Sequence, residues 1–112
     1  MNTISIEGRL TDDPEIKYFN GEQDSGIIIF DIAHNSPIKK NGEWTDEAHY
    51  FPCKIFVKGG QIKYYKNRLR KGGLIAIQGK LVQEKWKNAE NQNRYKVSIQ
   101  ATDIVSFVPM ES

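Results

Sequence analysis

Apolar and polar residues alternate with a period of two in several stretches of this chain, the signature of β-strands with one buried face. Ile4, Ile6 and Leu10 open one such segment, interrupted by Gly8 and followed by a turn at Asp12-Asp13-Pro14. A second extended segment runs through Ile16, Lys17 and Tyr18 toward a turn at Asn20-Gly21. Ile27-Ile28-Ile29-Phe30-Asp31-Ile32-Ala33 is a β-branched run, apolar at both parities, which predicts a central strand. Its second apolar face is more than one side of a small barrel needs, so it predicts a cover from another subunit. Residues 34–47, rich in Asn, Ser, Pro, Lys and Gly, read as a long loop. Further strands are expected over about 50–58, 74–86 and 93–101, with a short one over 104–108.

One helix is expected near residues 60–71, where Ile62, Tyr65 and Leu69 recur at spacings of three and four. Lys63, Lys66 and Arg70 line its other side, and Gly72-Gly73 supplies a glycine stop after a basic last turn. The basic stripe suits a solvated side. Several strands with a single helix between the third and fourth is the element order of an all-β OB-fold, a five-stranded Greek-key barrel with one short helix.

A length of 112 residues supports one core and not two. With 38% hydrophobic and 27% charged residues, the composition is that of a folded domain and excludes low-complexity classes. No apolar run approaches a membrane span, and Met1–Glu7 carries neither a basic nor an apolar signal region. The single cysteine, Cys53, leaves no intrachain disulfide framework and suits a reducing compartment, so a cytoplasmic protein is expected. The net charge of +2 conceals a split. Residues 1–47 carry four basic against ten acidic groups, whereas residues 48–112 carry twelve basic against four acidic. A basic second half fits a polyanion partner, although ordinary surface scatter gives such a split as well.

Strand parity sharpens the choice. In 50–58 the odd positions Phe51, Cys53, Ile55 and Val57 form a core set, while the even positions are Tyr50, Pro52, Lys54, Phe56 and Lys58. Aromatics interleaved with lysines fit single-stranded nucleic acid: bases stack on the rings and ammonium groups neutralise phosphates. The same mixture fits rings packed under a loop or at a subunit interface. In 94–101, Tyr95, Val97, Ile99 and Ala101 share one parity, and Arg94, Lys96, Ser98 and Gln100 the other. Lys85-Trp86-Lys87 stands at a hairpin tip, where a tryptophan has no evident core role and suits stacking. Trp44, beside Asp46 and Glu47, is a weaker stacking candidate.

Together these residues resemble a known family. Gly8-Arg9-Leu10-Thr11-Asp12-Asp13-Pro14-Glu15-Ile16-Lys17-Tyr18 is similar to the opening signature of bacterial single-stranded DNA-binding proteins. Phe30-Asp31-Ile32-Ala33, Leu69-Arg70-Lys71-Gly72 and Ile77-Gln78-Gly79-Lys80-Leu81 follow in the family's order, and the likeness covers residues 2–107. The resemblance implies an OB-fold, a homotetramer with a dimer as the alternative, and sequence-independent binding and protection of single-stranded DNA in replication, recombination or repair. It implies stacking at Trp86, Phe56 and Tyr50; another stacking tryptophan of the family falls near Ile38, where nearby Trp44 is the candidate substitute. Phosphate contacts are expected from Lys54, Lys58, Lys71, Lys80, Lys85, Lys87, Arg94 and Lys96. Pro52 and Glu84 depart from the basic or polar residues common at their positions.

Residues 1–108 are thus expected to form the DNA-binding domain, and 109–112 a short end without the acidic tail through which family members recruit other proteins. Tail-mediated recruitment is therefore not expected; association with the nucleoid is. The other reading is an adaptor resembling primosomal replication protein B, which mainly docks replication proteins. No enzyme is expected: Gly59-Gly60 and Gly72-Gly73 lack the phosphate-loop spacing, and no catalytic constellation or cofactor motif is visible. His34, His49 and Cys53 are the soft-ligand candidates; His49 and Cys53 could share a strand face, but two ligands make no tetrahedral site, and Cys53 reads as core.

Overall fold

The computed structural model describes residues 1–19 and 24–108. The expected turn at Asn20-Gly21 and the end segment 109–112 lie outside the described residues. Six strands and one helix follow in the order β1 (Ile4–Leu10), β2 (Glu15–Tyr18), β3 (Ser25–Lys40), β4 (Glu43–Lys58), α1 (Gly60–Arg68), β5 (Leu74–Lys87) and β6 (Asn93–Val108). The sheet order is β1-β5-β6-β4-β3-β2, and β1 also pairs with β3. That last pairing closes β1, β5, β6, β4 and β3 into a five-stranded barrel, with β2 flanking the first half of β3. β1 and β2 act as two halves of one bent first strand, so the helix lies between the third and fourth barrel strands. The architecture is an all-β OB-fold.

Closure depends on close backbone approach at Gly8, which pairs with Ile75 while its neighbour Arg9 pairs with both Leu74 and Ala33. A Cβ at Gly8 would lie 2.8 Å from the Ala33 carbonyl oxygen and 3.1 Å from the Ile32 Cβ. The only parallel pairing in the described sheet is β4 with β6, through Cys53–Ile99 and its neighbours. Inward positions of every barrel strand meet in one core: Leu10, Ile28, Phe30, Ile32, Ile55, Val57, Ile75, Ile77, Ile99, Ala101 and Ile104. Each fully buried isoleucine contributes about 1.5–3 kcal/mol by leaving water. Helix α1 covers the core with Ile62 and Tyr65, and Leu69 just beyond it is also buried.

Four expectations are corrected. Residues 34–47 are not a loop. β3 and β4 stay in register from Ser25–Lys58 out to Lys40–Glu43, joined by Asn41-Gly42 with φ of 51° and 81°. Positive φ at both turn residues is what an Asn-Gly hairpin turn supplies, and it matches the twist of the strands. The helix ends at Arg68 rather than near 71, because Leu69 turns to an extended conformation (φ −88°, ψ 115°) that buries its side chain. Gly72, at φ 83°, therefore shapes the loop beyond the helix rather than its cap. Finally, 93–101 and 104–108 form a single strand, whose pairing with β5 skips Thr102 and Val105 at two register shifts.

Candidate nucleic-acid interface

The outer face of β4 keeps the expected alternation. Cys53, Ile55 and Val57 are buried, while Tyr50, Phe56 and Lys58 are exposed on the other side. Phe56 is 50% exposed and Tyr50 67%, so neither ring packs under a loop. Pairing places Ile27 beside Phe56, Ile29 beside Lys54 and Asp31 beside Pro52. Ile27 and Ile29 are half-buried on this outer face, so the second apolar side of β3 forms part of a groove within the chain itself.

Beyond the barrel, β5 and β6 continue as a two-stranded ribbon in which Glu84 faces Lys96 and Trp86 faces Arg94. These four share the outward parity with Lys80, Ser98 and Gln100, the side opposite buried Ile77, Ile99 and Ala101. Lys85, Lys87 and Tyr95 have the other parity, on the reverse of the ribbon. Near its end Lys85, Trp86, Lys87, Asn93, Arg94 and Tyr95 enclose an open depression of about 290 Å³. Trp44 sits in the outer part of the β3–β4 arm, paired with Lys39, 71% exposed and on the same parity of β4 as Tyr50. Lys71 belongs to the loop after α1, its backbone N–H donating to Asp13 Oδ1 at 2.8 Å.

Two features escaped the sequence reading. Phe19, just past β2, lies with its ring centroid 6.1 Å from that of Phe56, the rings tilted by 34°. The pair borders a depression of about 280 Å³ that also includes Lys58 and Gln61. The adjacent Tyr18-Phe19 aromatics were the available signal, but only the β2–β3 and β3–β4 pairings bring Phe19 to Phe56. Second, Lys54 is not an isolated cation. Its ammonium donates to Glu84 Oε1 at 2.9 Å, reaching from β4 across β6 to β5. That hydrogen bond, aided by the charges of Lys54 and Lys96, holds the Glu84 carboxyl below its ordinary range.

Among the described residues no group of three or more His, Cys, Asp and Glu side chains is placed to hold a metal. Burial, with a smaller contribution from the Asp31 charge, pushes the Cys53 thiol up to about 12, so it stays protonated and packs as core. No described helix is long and apolar enough to cross a membrane.

A closed OB-fold barrel with exposed aromatics and cations along one face defines the structural class. Residues 1–107 match the family model described as the single-strand binding protein family. The chain is 34% identical over 108 residues to the single-stranded DNA-binding protein of Borreliella burgdorferi, covering 96% of this chain and 70% of that one. It is 35% identical over 105 residues to the Aquifex aeolicus protein of that name, with 93% and 68% covered. In fold it is similar to the Plasmodium falciparum SSB in its complex with ssDNA, at a TM-score of 0.80 and 23% identity, covering 97% of this chain and 96% of that one. A deletion mutant of the Thermus aquaticus single-stranded DNA binding protein superposes with a TM-score of 0.75 at 22% identity, covering 95% of this chain and 51% of that one. The chain belongs to the single-strand binding protein family.

Proposed function

We propose that this chain binds single-stranded DNA, stacking bases on exposed rings and neutralising phosphates with the cations between them. The observation that carries this reading is the outer face itself: Phe56, Tyr50 and Trp86 stand exposed among lysines and an arginine where a solvated sheet would carry small polar groups. Stacking tolerates any base and contributes about 1–3 kcal/mol per base, so binding at these rings does not demand sequence. Phe56, Tyr50, Trp86 and Trp44 are the stacking residues, with Phe19 added beside Phe56. Lys58, Lys80, Arg94 and Lys96 follow the phosphates on the outer face, and Lys85, Lys87 and Lys71 meet the strand where it passes the ribbon edge and the loop after α1.

The role is that of a non-enzymatic binder and protector of single strands exposed during replication, recombination or repair. Residues 1–108 act as one binding domain, in the cytoplasm at the nucleoid. The family relationship supports a homo-oligomer, a tetramer before a dimer. The test is fluorescence anisotropy of a labelled oligo-dT against a duplex of equal length. Tight binding of the single strand and weak binding of the duplex is the expected result. Equal affinity for both, or no binding of the single strand, overturns the proposal and favours a protein-docking adaptor.

A further inference from the structure

A groove of about 160 Å³ lies on the outer face between the β3–β4 pair and the β5–β6 ribbon. Ile27, Ile29 and Pro52 supply apolar wall, and Lys54, Lys96, Glu84 and Ser98 supply polar groups. A dry cavity of about 150 Å³ holds a benzene ring, so the space suits one planar ring system. Ser98 is only 4% exposed, and among the described residues its hydroxyl has no hydrogen-bond partner. A buried hydroxyl left unmatched costs free energy that a ligand edge can recover.

Glu84 decides what can enter. A carboxylate in the middle of a phosphate-binding face repels phosphate, and the Lys54 hydrogen bond keeps it ionised. What suits it is a group bearing N–H donors. Resting on the single-stranded DNA reading above, we infer that this groove seats one nucleobase by its hydrogen-bonding edge and prefers guanine over thymine. Guanine N1–H and N2–H donate side by side to the Glu84 carboxylate, while the Lys54 ammonium beside it donates to O6. Thymine offers a single N3–H flanked by two carbonyl oxygens, which the carboxylate repels. The rings elsewhere on the face remain indifferent to sequence, so the preference belongs to one position per bound strand.

The experiment compares three oligonucleotides of about 15 nucleotides, within the span of one to a few base-stacking sites. One is all dT, one carries isolated dG residues, and one carries inosine at the same places. Inosine keeps the purine ring and O6 but lacks the N2 amino group. The protein should bind the dG oligonucleotide about fivefold more tightly than oligo-dT, the low end for a bidentate contact because Glu84 is 43% exposed. Inosine should lose most of that advantage, which stacking alone would preserve. Glu84→Gln should bring the dG-to-dT ratio to about one while still binding oligo-dT, with its folding verified by circular dichroism. A ratio of one in the unaltered protein, an inosine oligonucleotide as good as dG, or a ratio unchanged by Glu84→Gln overturns the inference and leaves the proposed function standing. Failure to bind any of the three overturns both.

Discussion

The rings of Phe19 and Phe56 lie 6.1 Å apart on either side of β3, tilted by 34°, and form a small aromatic platform at one end of the outer face. Phe56 is half exposed, so its ring is available to a base while its backbone remains part of the barrel. Phe56→Ala should therefore weaken oligo-dT binding by about 1–3 kcal/mol, the usual loss of a stacked base. Phe19→Ala should cost less, because it removes the supporting ring. Both variants should melt close to the parent temperature; a large drop in melting temperature for Phe56→Ala would reassign the ring to the core.

Much of this face is legible from residue order. Over 50–58 one parity is core and the other is not, so alternation alone assigns Cys53, Ile55 and Val57 inward and Tyr50 and Phe56 outward. The outer β3–β4 arm is not legible that way, because neither side of it is buried. Residues 41–50 are exposed at every position, so no apolar period exists to read. There the only local signal was Asn41-Gly42, whose turn chemistry outweighs the polar composition around it. The Lys54–Glu84 contact is invisible for another reason. Charge counting treats each lysine as independent, whereas this pair forms across an intervening strand between residues 30 positions apart.

Salt dependence should reflect that pairing. Among the described residues Lys58, Lys80, Arg94 and Lys96 make no ion pair, whereas Lys54 is bound to Glu84. The four outer-face cations alone, at about −0.7 per phosphate, contribute about −3 to the slope of log affinity against log salt, and Lys85, Lys87 and Lys71 steepen it further. Raising salt fourfold should therefore weaken binding at least about fiftyfold. Arg94→Ala should flatten the slope by about 0.7, one phosphate's worth. Lys54→Ala should change it by less, since its charge is already committed. A larger loss of slope for Lys54→Ala than for Arg94→Ala would contradict this division of roles.

Cys53 gives a pH prediction. Its thiol is 2% exposed and raised to about 12 in the folded chain, against an ordinary value of 9.0. The folded state thus holds this proton more tightly than the unfolded state. The stability linked to it is fully present below 9.0 and is lost as pH rises toward about 12. Cys53→Ala should show a shallower alkaline loss of stability in urea unfolding than the parent. In the native protein at neutral pH the thiol should resist a disulfide-exchange reagent and react once urea unfolds the chain. Rapid native reaction would mean the β4 core face opens more easily than its packing allows.

The measurement that bears most directly on single-strand stacking is the emission of Trp86 during titration with oligo-dT. Trp44→Phe leaves Trp86 as the sole tryptophan of the chain. Stacking a base against the indole should quench its emission strongly and saturably, and a duplex, whose bases already stack on one another, should quench it weakly. Adding Trp86→Ala to a protein that retains Trp44 should lower oligo-dT affinity by about 1–3 kcal/mol without unfolding the barrel. Emission from Trp86 unchanged at saturating oligo-dT, or quenched equally by duplex, would contradict stacking on this face.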